Sequence, residues 1–303
     1  MYFGITLHGL LVGEPRTFET ITEAALRLRA ETGMNAVEIW MDCVSGRPCD
    51  FWPEQYDDRL VERMSAFLSH FDCFGVHLPF ASSDYACGNP VVSAAAAGQI
   101  ALGVDVSAAL GARYVVGHAR HPIIGLSGDD EQLRRYAEVL RPLCDRAAAA
   151  GILYCLETCE FLGSSQRMLG MVAAVAHPAF RLCLDSGKMM MYLSRQWLDV
   201  PGDRWAEGDW ADASPNMLAW LEQHGHLIGS THLWDYQIKP GEGGRILPGN
   251  GLCDVRGVVR RLVACGYPGS YNLETAGTYE QERTAVLTLK QYLLEARRSE
   301  GAR

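Results

Sequence analysis

Eight short apolar runs recur along this chain, each followed by a longer stretch with helical spacing. They are Tyr2 to Leu7, Ala36 to Trp40, Cys73 to Leu78, Tyr114 to His118, Ile152 to Glu157, Arg181 to Asp185, Leu227 to Leu233 and Ser270 to Glu274. Continuous apolar runs of this length suit strands buried on both faces, as in a parallel sheet covered by helices. The intervening stretches carry helix punctuation: FETITEAALRLRAETG ends at Gly33, GQIALGVDVSAALGA ends near Gly111, and Gly151 and Gly266 stand at further expected helix ends. Asp254 is a good N-cap for the helix that puts Val255, Val258, Val259, Leu262 and Val263 on one face. Strand and helix alternating throughout imply a parallel sheet, and eight repeats in 303 residues fit a closed (β/α)8 barrel better than an open doubly wound sheet. No linker rich in Pro, Gly or Ser divides the chain, so residues 1–303 read as one domain.

Four of these runs finish on a residue that can ligate a metal: ILYCLET at Glu157, RLCLDSG at Asp185, GSTHLWD at His232 and SYNLET at Glu274. A lone carboxylate at such a buried position costs several kcal/mol, on the order of a lost charge-solvating shell. The C-terminal ends of barrel strands converge on one mouth, so four such residues are more economically explained as one site than as four separate helix caps. Three oxygen donors and an imidazole suit one divalent cation, Mn first, with Mg, Co or Zn as alternatives.

Composition narrows the partners. The formal charge of −9 disfavours nucleic acid, whose binding draws most of its affinity from Lys and Arg on phosphates. No apolar run reads as approaching the ~18 residues of a membrane span. MYFGITLHGLL lacks a basic leader and reads as a first strand. The ten cysteines are scattered without a CxxC pair, which suits reduced, buried thiols in a cytoplasmic protein. No glycine-rich phosphate fingerprint follows the first run. Residues 189–215 break helical periodicity with Pro201, Gly202 and Gly208, and carry Trp197, Trp205 and Trp210. On a barrel this insertion emerges at the mouth, as either an active-site lid or a surface and oligomer contact.

The order HLP, GHA, LET, LDSG, THLWD, R-x-x-PGNG and NLET, from His77 to Glu274, resembles the xylose-isomerase-like barrel superfamily of sugar isomerases and epimerases. Zinc-dependent apurinic endonucleases belong to the same superfamily. The resemblance implies that Glu157, Asp185, His232 and Glu274 hold one divalent metal. It further implies that Glu157 and Glu274 pass a proton next to the carbonyl of a sugar, keto-inositol or sugar acid through an enediolate, and that Arg245 binds substrate oxygens. It leaves room for a homo-oligomer. The endonuclease pattern needs an Asp-x-x-His where this chain has Asp185-Ser186-Gly187-Lys188, and an Asp-x-His that QIKPGEGGRILPG lacks. Lys188 is thus the main departure, expected to bond a substrate oxygen, with a solvated loop lysine as the bland alternative. His77 and His118 line the pocket or serve as structural histidines. Glu160 is a second acid/base or a helix N-terminal carboxylate. Trp40, Trp234 and, more weakly, His8 form a sugar-facing wall or belong to the core. The rival outcomes are a dehydratase or lyase on a similar substrate, an apurinic endonuclease, and a metal-free sugar-binding barrel.

Overall fold

The computed structural model describes residues 1–42, 51–80, 84–119, 123, 128–159, 162–193, 213–237 and 244–301. Eight parallel strands close into a barrel: β1 (Tyr2–Thr6), β2 (Ala36–Trp40), β3 (Cys73–His77), β4 (Tyr114–Gly117), β5 (Leu153–Glu157), β6 (Phe180–Asp185), β7 (Ile228–Leu233) and β10 (Ser270–Leu273). Each pairs with its sequence neighbour, and β10 pairs with β1 to complete the ring. The expected (β/α)8 architecture is therefore present. One feature was not expected: a two-stranded antiparallel hairpin, β8 (Asp235–Gln237) and β9 (Gly244–Ile246), intervenes between β7 and β10.

The helices are α1 (Phe18–Thr32), α2 (Asp58–Leu68), α3 (Pro90–Leu110), α4 (Asp129–Ala149), α5 (Ser165–Val175), α6 (Ser186–Leu193), α7 (Ala213–His224), α8 (Val255–Ala264) and α9 (Tyr279–Gly301). Their ends follow local chemistry. Thr17 accepts from the Thr20 amide to start α1, and Gly33 stops it at φ +77°, a conformation an L side chain rarely adopts. Asp254 caps α8 through the Gly257 amide, as its position in the sequence implied. Contrary to the sequence expectation, α3 is long and apolar enough to cross a membrane by length and composition. In the barrel its buried side, including Ile100, Val104 and Leu110, packs inward, and Gly103 brings it against Leu78.

The period of two along each strand sorts side chains between two layers. In β5, Tyr154 and Leu156 join the large apolar core between sheet and helices, while Cys155 faces the barrel interior. In β6, Leu182 and Leu184 take the outer layer and Cys183 the inner. The same alternation sends Glu157 and Asp185 inward at the strand ends, both buried. The backbones of β1 and β2 approach closely at Gly4. A Cβ built on Gly4 would lie 1.7 Å from the backbone oxygen of Ala36 on β2. Gly4→Ala should therefore cost at least about 3 kcal/mol, because backbone cannot yield as a side-chain tip can. An unchanged thermal midpoint for this variant would contradict that close approach.

At the end of β10, Thr275 donates to Glu282 Oε2 at 2.6 Å, and the Glu282 side chain is only 2% exposed. Burial lifts this carboxyl to about 7, with the Thr275 bond pulling the other way. The folded chain thus keeps a proton that the unfolded chain releases near the ordinary value of 4.5. Stability from this group is full below that value and falls as pH rises through 7. Glu282→Gln should match the parent in thermal midpoint near pH 5 and exceed it at pH 8, by up to roughly 3 kcal/mol. A difference that stays constant with pH would refute the assignment.

Candidate metal centre

The residues singled out from four separate strands meet at the mouth. Glu157 ends β5, Asp185 ends β6, His232 lies within β7, and Glu274 follows directly after β10, continuing the ladder through its amide to Leu233 O. All four side chains are buried. Ligand atoms of Glu157, Asp185 and His232 lie within 4.8 Å of one another. His232 Nδ1 stands 3.2 Å from Glu157 Oε2 and 3.5 Å from Glu274 Oε2 without hydrogen-bond geometry to either. That nitrogen is aimed between two carboxylates, which is what a shared cation requires.

The other nitrogen of His232 explains the aim. Nε2 lies 2.8 Å from Glu38 Oε1 on β2, three strands round the ring. A carboxylate can only accept, so Nε2 carries the proton and Nδ1 offers its lone pair in the neutral ring. Glu38 is held in turn by Tyr114, whose hydroxyl lies 3.1 Å from Glu38 Oε2. Asn272 and Ser270 bond that hydroxyl from β10. Sequence inspection passed over Glu38 because a mid-strand Glu in AVEIW has no distinctive motif. Its one legible signal was a carboxylate on the inward phase of a buried strand.

Asp185 combines two roles that the sequence had set against each other. Its Oδ1 accepts from the Lys188 amide at 2.8 Å and so caps α6, while Oδ2 lies 3.6 Å from Lys188 Nζ. Lys188 Nζ also bonds Glu157 Oε1. Burial alone would raise the Glu157 carboxyl, but His118 and Lys188 outweigh it and hold the group well below the usual range. Burial likewise opposes the Lys188 charge, and Glu157 and Asp185 overcome it, holding the ammonium well above its ordinary value. For His232, burial is outweighed by Cys183, Glu38 and Glu274, which hold the imidazolium well above its ordinary value; the Nδ1 lone pair belongs to the ring that has given up that proton to a cation.

The opposite half of the mouth is aromatic. His77 Nε2 lies 3.1 Å from His118 Nε2, which lies 2.8 Å from Glu157 Oε2. His77, His118 and Glu157 form a second group whose ligand atoms fall within 4.8 Å. His77 Nδ1 donates to Leu78 O at 2.9 Å, and His118 Nδ1 meets Cys159 Sγ at 3.2 Å. His8 stacks on Trp40 with ring centres 3.7 Å apart, and Trp40 lies 4.6 Å from His77. Phe80, absent from the sequence reading, stacks on His118 at 4.6 Å. Trp234 instead packs over Gly187, where a Cβ would meet its ring at 2.5 Å. It thereby shapes the turn that presents Lys188. Arg245 lies in β9 opposite Tyr236. Asp235 anchors this hairpin, accepting from the amides of Tyr236, Gly249, Gly251 and Cys253 at 2.8–3.0 Å. Glu160 and most of the 189–215 insertion, residues 194–212, lie outside the described residues.

A family described as xylose isomerase-like TIM barrel matches residues 26–294. The chain belongs to this family. No curated protein matches the sequence. Among solved structures, a D-tagatose 3-epimerase-like protein is similar over 99% of each chain, with TM-score 0.70 and 17% identity. An L-ribulose 3-epimerase is similar over 100% of this chain and 98% of its own, with TM-score 0.73 and 16% identity. A D-allulose 3-epimerase from Methylomonas sp. in complex with D-allulose covers 96% and 97%, with TM-score 0.70 and 17% identity. At these identities the likeness of this xylose isomerase-like barrel to them is one of fold.

The donor set fits a divalent ion: hard carboxylate oxygens, one imidazole with a fixed lone pair, and a carboxylate behind that imidazole. Glu38→Gln should leave the barrel folded and weaken Mn²⁺ binding by about 10- to 100-fold. Titration of purified protein with Mn²⁺ reads the change, and undiminished affinity would show that Glu38 does not orient His232.

Proposed function

We propose that this barrel is a divalent-metal-dependent isomerase or epimerase acting next to the carbonyl of a ketose or related polyol, with Mn the first metal to test. The observation that carries the reading is His232 Nδ1 bracketed by Glu157 and Glu274, with Asp185 alongside and Glu38 behind. A divalent ion held by Glu157, Asp185, His232 and Glu274 would supply positive charge to the substrate carbonyl and its neighbouring hydroxyl.

The chain's own groups do the rest. Glu157 and Glu274 reach the centre from different strands, so one is assigned to take the carbon-bound proton and the other to return it. Lys188 is assigned to a substrate oxygen, and Arg245, on the hairpin that Asp235 ties down, to another. His8, Trp40, His77, Phe80 and His118 form a continuous ring surface suited to the carbon–hydrogen face of a sugar. The 3-epimerases of similar fold make D-tagatose, L-ribulose and D-allulose reasonable first substrates. A cytoplasmic location belongs to the same proposal, supported by six buried thiols at Cys73, Cys144, Cys155, Cys159, Cys183 and Cys253.

Incubation with Mn²⁺ and a ketose panel in D₂O should give an isomer or epimer carrying deuterium at the carbon beside the carbonyl. Glu157→Gln and Glu274→Gln should each lower turnover by about 10³-fold with the fold intact. Product that has lost water would move the assignment to a dehydratase, and no deuterium uptake across the panel would end the proton-transfer reading.

A further inference from the structure

Lys188 brings an ammonium group to two of the carboxylates that the metal reading needs. Its Nζ bonds Glu157 Oε1 and lies 3.6 Å from Asp185 Oδ2. Both carboxylates belong to the group whose ligand atoms fall within 4.8 Å. A divalent ion of the Mg or Zn type bonds carboxylate oxygen at about 2.0–2.2 Å, closer than an ammonium sits, and repels a cation placed beside it. The ammonium and the ion therefore compete for the negative charge of Glu157 and Asp185.

The local structure lets the lysine yield without disturbing the ligands. Its amide is tied to Asp185 Oδ1 at 2.8 Å, so the main chain is fixed at the first turn of α6. The side chain beyond is a flexible stem, one-fifth exposed, so it has a path toward the mouth.

We propose that Lys188 is a built-in competitor for the metal: its ammonium neutralises Glu157 and Asp185, must release them for a divalent ion to bind, and thereby sets the affinity of the centre. This rests on the metal-centre reading above. Release would also turn the ammonium toward the mouth, where a substrate oxygen can meet it, so one residue links metal loading to substrate binding.

The test compares the full-length protein with Lys188→Met, which keeps the stem and removes the charge, and with Lys188→Gln as a second uncharged variant. Mn²⁺ affinity is measured by direct titration, with no substrate present. The uncharged variants should bind Mn²⁺ at least about tenfold more tightly than the parent. In chelator their thermal midpoints should fall below that of the parent, and Mn²⁺ should restore them. If the parent binds Mn²⁺ and both variants bind it equally or more weakly, the competitor role is overturned while the metal centre stands. If none of the three proteins binds Mn²⁺, the metal centre falls and the competitor role with it.

Discussion

A single hydrogen bond across the barrel, from His232 Nε2 on β7 to Glu38 on β2, organises the centre. Buried carboxylates are costly unless each meets a donor or a cation. Glu38 meets His232 and Tyr114; Glu157 meets His118 and Lys188; Asp185 meets backbone amide and ammonium. Because Glu38 claims one imidazole nitrogen, the other is left facing Glu157 and Glu274. Were Glu38 apolar, His232 could take either tautomer, and the direction of its lone pair would be undetermined.

Two kinds of surface share the mouth. Apart from Glu38, the charged groups come from the ends of β5, β6, β7 and β10, whereas β1 to β4 and the residues just beyond them contribute rings: His8, Trp40, His77, Phe80 and His118. That division suits a polyol, which needs its oxygens bound on one side and its carbon face covered on the other. The hairpin β8–β9 is braced at its base by four amides on the Asp235 carboxylate, so Arg245 stands on a fixed strand.

Much of this was legible in the chain itself. The barrel followed from strand–helix alternation, and the four proposed ligands followed from buried runs that end in Glu, Asp or His. The local cap at Asp254 was equally plain. Glu38 and Phe80 were missed for a common reason: neither stands in a spacing that distinguishes it from core, and each gains its role from a residue distant in sequence. By length and composition α3 could cross a membrane, because a helix packed on a barrel and one facing lipid can share the same composition.

Sequence alone therefore determined the period-two phase of each strand, and with it which residues turn inward, because backbone pleat is a local property. It also determined where helices start and stop. Tertiary structure decided which inward residues meet. The His232 tautomer, the dual use of Asp185 as helix cap and acidic neighbour, and the hold of Lys188 on Glu157 all depend on distances between separate strands and turns. Ring closure sets those distances, and no local pattern encodes them.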